Sequence, residues 1–181
     1  ADIPKFMLAA VAVILLILFL SFRSLRALVL PLAVVTLGTL WTLGTMRLLG
    51  FDLTVISVMT PPLVLTLGSA YSIHVLNQYY REARTRPGDG DWILRSVSHI
   101  IQTVLLAALT TVIGFSSLAS ATLRQIREFG VATSIGIVYC ALFALFLLPA
   151  VLSLLPAPKA KERDRVLKGS LARFVDRLGG W

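Results

Sequence analysis

FGVATSIGIVYCALFALFLLPAVLSLLPAP, from Phe129 to Pro158, runs for 30 residues without one Asp, Glu, Lys or Arg. About 20 apolar residues suffice for a helix to cross a hydrocarbon core. Four further charge-free runs precede it, at 6–22, 27–46, 53–80 and 96–123. Each reaches the length of about 17 residues at which a span becomes feasible. A transmembrane barrel would instead show alternating segments of about ten residues, and none is visible.

Composition points the same way. Hydrophobic residues make up 57% of the 181 and charged residues 14%, against roughly 25% charged in an average soluble domain. Mean hydropathy is +0.86. A water-soluble fold of this size could not hide so much apolar surface, and a disordered chain would lack it. The single cysteine, Cys140, excludes an internal disulfide framework and a cysteine-based zinc site. The expected fold is all-α: a polytopic membrane bundle of five transmembrane helices, with spans at about 6–22, 27–49, 53–80, 96–120 and 127–155, filling residues 1–156. The first run has no A-x-A-like cleavage site after it and reads as a true span rather than a signal peptide.

The net charge of +8 is distributed by side. Arg23, Arg26, Arg81, Arg84, Arg86, Arg95, Lys159, Lys161, Arg163, Arg165, Lys168, Arg173 and Arg177 fall on one side, 13 of the 17 basic residues. Lys5, Arg47, Arg124 and Arg127 fall on the other. The positive-inside rule then places the N-terminus outside and the C-terminus in the cytoplasm, in the cell's inner (plasma) membrane. Basic residues confined to the gaps between spans argue for topology and anionic lipid rather than nucleic acid as partner. A chain that starts outside after Ala1-Asp2-Ile3-Pro4-Lys5 reads as a segment of a longer polypeptide.

From 157 to 181 the pattern changes. Leu167, Leu171, Phe174, Leu178 and Trp181 step by four and three, with Lys168, Arg173 and Arg177 on other faces. This predicts a basic amphipathic helix on the cytoplasmic surface, with a solvated linker as the alternative.

Thr60-Pro61-Pro62 interrupts the third run. Proline lacks an amide donor and disfavours helical angles in the residue before it. Two readings stand: a helix break at Pro61 and Pro62, or a helix that begins there. Small residues at helical spacing mark close-packing faces: Gly38, Thr42 and Thr45 in the second span, Ala107, Thr111 and Gly114 in the fourth, Gly136, Cys140 and Ala144 in the fifth.

No Asp, Glu, Lys or Arg lies deep in a span. Paired buried carboxylates and a carboxylate proton relay are therefore missing, and no Ser–His pair assembles, so no enzymatic function is expected. Tyr71, His74 and Asn77 follow one another at three-residue steps and share a broad face of the third span. Polar side chains at that depth are costly against lipid, so the face should point into the bundle. It reads either as a polar track along a pathway or as a structural hydrogen-bond cluster. Facing histidines, His74 and His99, could in principle ligate haem. Hydrogen bonding for one and headgroup proximity for the other is the simpler account, and neither cofactor nor metal is expected.

Four stretches together resemble the resistance–nodulation–division (RND) permease superfamily, in its MMPL-like and sterol-sensing-domain branch of lipid exporters. They are Phe22-Arg23-Ser24-Leu25-Arg26 with Leu30-Pro31-Leu32, Gly68 to His74 with Asn77 and Tyr80, Ala108 to Phe115, and Phe129-Gly130 with Leu148-Pro149-Ala150. The resemblance covers residues 4 to about 156. It implies helices two to six of one half of a twelve-span protein, partnered by a second half and external domains. It further implies export of lipids or other hydrophobic, amphipathic molecules, proton-coupled in the full-length protein. Candidate coupling or pathway residues are Tyr71, His74 and Asn77, faced by Thr110 and Thr111 from the fourth span. One position departs. Proton-driven relatives often carry Asp immediately before the tyrosine, and here Ala70 precedes Tyr71. That favours an alternative, a sterol-sensing-type module that binds membrane lipid and regulates or scaffolds partners without pumping.

Overall fold

The computed structural model describes residues 25–52, 54–85 and 92–155, and every regular element among them is helical. Helix α1 is Leu25–Leu48, α2 is Thr60–Thr85, α3 is Trp92–Ser116 and α4 is Arg124–Leu142. A π-turn, Phe143–Leu147, continues α4 into the short α5, Leu148–Leu154. Single 3-10 turns, Ser57–Met59 and Ser117–Ser120, lead into α2 and out of α3. The span at 6–22 and the amphipathic tail at 157–181 lie outside the described residues.

Among the described residues, three stretches are long and apolar enough to cross a membrane: Val29–Leu48, Val97–Ser120 and Arg124–Leu154. Helix α2 matches them in length with 26 residues but not in apolarity. Ser69, Ser72, His74, Asn77 and Gln78 dilute it, and its C-terminal turns carry Arg81, Glu82 and Arg84. Its apolar face is nonetheless the core of the bundle, with Val64, Val75, Leu76 and Tyr80 almost wholly buried.

Pro61 and Pro62 occupy the first turn of α2, where an amide would have no intrahelical partner. Thr60 takes helical angles despite preceding proline, φ −59° and ψ −51°, so the 3-10 turn runs directly into the helix. The helix therefore begins at the prolines rather than breaking there.

Helices α1, α2 and α4 meet on one another, and α3 packs on α2 and α4. Glycines set the approach. A Cβ on Gly38 would lie 2.5 Å from the Cys140 sulfur, and one on Gly68 would lie 2.7 Å from it. One turn along α4, a Cβ on Gly136 would meet Val64 Cγ2 at 2.6 Å and Thr42 Oγ1 at 2.8 Å. Val64 thus faces Gly136 as Gly68 faces Cys140, so α2 and α4 run parallel, in register over this turn. Van der Waals contact of this closeness replaces the solvent-driven packing that lipid does not supply.

Polar links fasten the Arg124 end of α4. Ser116 Oγ donates to Ser134 Oγ at 3.1 Å, joining α3 to α4. Arg124 pairs with Glu128 one turn on and reaches Asp52, beyond α1, at 3.9 Å. Glu128 is buried although the sequence places it at a span's edge. Thr45 Oγ1 and the Tyr139 hydroxyl lie 3.1 Å apart, linking α1 to α4.

Overpacking of this kind is testable. Gly136→Leu should lower stability in detergent by about 1–3 kcal/mol, since Val64 and Thr42 leave it no room. Gly114→Ala, whose Cβ would meet nothing within 4 Å, should raise stability by up to about 1 kcal/mol through helix propensity. Thermal unfolding of the two variants, side by side with the parent, measures both.

Candidate functional site: a hydroxyl pair between α2 and α3

Buried hydroxyls in this bundle follow one habit. Thr39 donates to the Val35 carbonyl at 2.8 Å, Thr42 to Gly38 at 2.6 Å and Ser72 to Gly68 at 2.9 Å. Ser69 donates to the Thr66 carbonyl at 2.7 Å, and Ser134 to that of Gly130 at 2.8 Å. Bonding back to one's own helix satisfies a hydroxyl where no water is at hand.

Buried Ser57 departs from it, bonding the Asp52 and Thr54 carbonyls ahead of its turn, and three buried hydroxyls, those of Thr60, Tyr71 and Thr133, close no hydrogen bond of ordinary geometry. Tyrosine cannot reach its own helix carbonyls, so the Tyr71 hydroxyl must look across to neighbours. It lies against Thr111 of α3, with Cys140 of α4 also nearby. The Thr111 hydroxyl is committed to the Ala107 carbonyl at 2.7 Å, and no bond of ordinary geometry closes between the two. A donor-acceptor group of 4% exposure thus stands beside a second hydroxyl at the junction of three helices.

The other expected site residues separate from this pair. His74 is exposed, Asn77 half-buried and Thr110 exposed on α3, where its hydroxyl donates to its own helix at 3.0 Å. Hence the track from Tyr71 through His74 to Asn77 does not line the interior of the described helices. Helical residues turn by about 100° each, so three-residue steps drift by about 60°. Tyr71 stands at the buried edge and His74 has already left it. His99 is exposed too, and the described residues contain no group of three or more His, Cys, Asp or Glu positioned for a metal. Pro61 is buried and Pro62 half-buried. Sequence reasoning missed Thr60 and Thr133. Their residue type gave no signal, since a threonine's rotamer decides whether it bonds its own helix.

The chain also has counterparts among known proteins. A model of the MMPL family matches residues 1–180. The chain belongs to the MMPL family. A protein of Methanocaldococcus jannaschii, named as a membrane protein, is 33% identical over 109 residues, 60% of this chain and 28% of its own. One of Streptomyces coelicolor, likewise named, is 31% identical over 132 residues, 70% of this chain and 19% of its own. This MMPL chain thus spans less than a third of either relative. With several apolar helices of membrane-crossing length, it is a multi-span membrane protein of that family.

An unpartnered buried hydroxyl costs about 1–3 kcal/mol. Tyr71→Phe keeps the ring and removes the cost, so it should raise stability by about that amount. Unfolding of the variant at or below the parent's temperature would show that Tyr71 has a strong partner.

Proposed function

We propose that this chain is the transmembrane segment of an MMPL exporter that moves lipids or other hydrophobic and amphipathic molecules. In the full-length protein it works with a second RND half and external domains, and its driving force is a proton gradient. It performs no covalent chemistry. The N-terminal side faces outward and the basic side the cytoplasm, in the cell's inner membrane. Membrane lipids surround it and supply substrate.

The observation that carries this reading is the Tyr71 hydroxyl, on a buried residue at the α2–α3 contact and set against Thr111 without closing a bond of ordinary geometry. Most hydroxyls in the described helices bond their own helix, as Thr42 and Ser72 do. One held without a partner is available to exchange partners, or protons, as helices shift. His74 stands one turn away, exposed on the described face of α2.

Ala70 supports a second reading, lipid sensing without pumping, because alanine cannot carry a proton. The full-length protein, reconstituted into phosphatidylethanolamine–phosphatidylglycerol vesicles with a fluorescent phospholipid as probe, separates the two. Export is expected to require an imposed proton gradient and to be lost in Tyr71→Phe, the variant expected to fold more stably. Transfer indifferent to the gradient, or no transfer with the probe still bound, would favour the sensing module. Full activity in His74→Ala would remove that residue from the coupling path.

A further inference from the structure

The last membrane helix changes its winding halfway. From Arg124 to Leu142 it is α-helical, from Phe143 to Leu147 it is a π-turn, and Pro149 follows in the first turn of α5. The Leu148 amide bonds to the Phe143 carbonyl, five residues back. Pro149 has no amide hydrogen. The two groups that would close on the Ala144 carbonyl, at four and five residues' distance, are thus committed or absent. Ala144 is fully buried in the core, so the backbone ladder is thinned where the helix is most enclosed.

The segments on either side are held differently. The Arg124 side is fixed by directional and close contacts: Arg124 with Glu128 and Asp52, Ser116 with Ser134, and Cys140 wedged against Gly38 and Gly68. The α5 side buries Leu148, Pro149 and Leu152, while Ala150, Ser153 and Leu154 are exposed. Apolar contacts are non-directional and slide without losing a bond. Kinks in helices arise at proline and at π-turns, and here both fall within seven residues.

We propose that Phe143–Pro149 is a hinge, about which Leu148–Leu154 swings against a bundle whose Arg124 half stays locked. The hinge is a property of the backbone and stands whether the protein exports or only senses lipid. A bend of about 20° would move the far end of this segment, about 10 Å long, by about 4 Å.

Spin-label distances in the full-length protein in bilayers test it. Labels go on the exposed positions Ser153 and Thr103 for the swinging segment, and Val138 and Thr103 for the locked one. The Ser153–Thr103 distribution should be the broader, by about 4 Å. Deleting Phe146, an exposed residue of the π-turn, turns it into ordinary α-helix and should narrow that distribution to match the other. Pro149→Ala restores an amide and should narrow it in part. A Ser153–Thr103 distribution as sharp as Val138–Thr103 in the unaltered protein overturns the hinge. So does a broad one that neither change narrows. Should the deletion fail to assemble, the parent and Pro149→Ala decide the matter.

Discussion

Cys140 stands where two helices have given up their side chains. Gly38 on α1 and Gly68 on α2 both face its sulfur, at distances a Cβ could not tolerate. In lipid, helices gain little from hiding apolar surface, so association rests on how closely backbones approach and how completely atoms touch. The three-helix meeting at Cys140 is such a contact, and Gly136 against Val64 and Thr42 repeats it one turn away. Because these points fix α2 against α4, they also fix the side from which α3 must cover Tyr71.

Hydroxyls are treated in two ways within that frame. Most bond to a carbonyl three or four residues back and cost the bundle little. Tyr71, Thr60 and Thr133 are buried without such a bond. Tyr71 has no choice, because its hydroxyl is carried too far from its own backbone. Burial of a group that could not be satisfied locally separates this position from the many structural serines and threonines around it. The thinned backbone at Phe143–Pro149 is a second departure from full satisfaction, this time of the main chain.

Much of the architecture was legible in the chain. Uninterrupted apolar runs announced membrane-crossing helices, since no other backbone form satisfies its own polar groups inside lipid. Gly136 and Cys140 announced a packing face by their spacing, and the structure puts both at helix contacts. The helix of Thr60–Thr85 was harder, because its polar residues lower its apolarity while its core-facing side remains among the best buried. Tyr71, His74 and Asn77 do not hold one face of the helix, for a geometric reason. Their three-residue rhythm drifts around the helix, and only a neighbour's position tells where the interior ends.

Sequence by itself determined that this is a helical membrane chain, and where the packing faces at Gly38–Thr42 and Gly136–Ala144 lie, whereas Ala107 and Gly114, expected on a third such face, are exposed in the described helices. What it determined follows from runs and periods, which are local properties. Tertiary structure decided that Tyr71 meets Thr111 while His74 and Thr110 stay outside. It also decided that Thr60 and Thr133 go without partners, and that Glu128 is buried beside Arg124. These outcomes depend on the rotation of each helix about its axis and on side-chain rotamers. Neither is set until the helices touch.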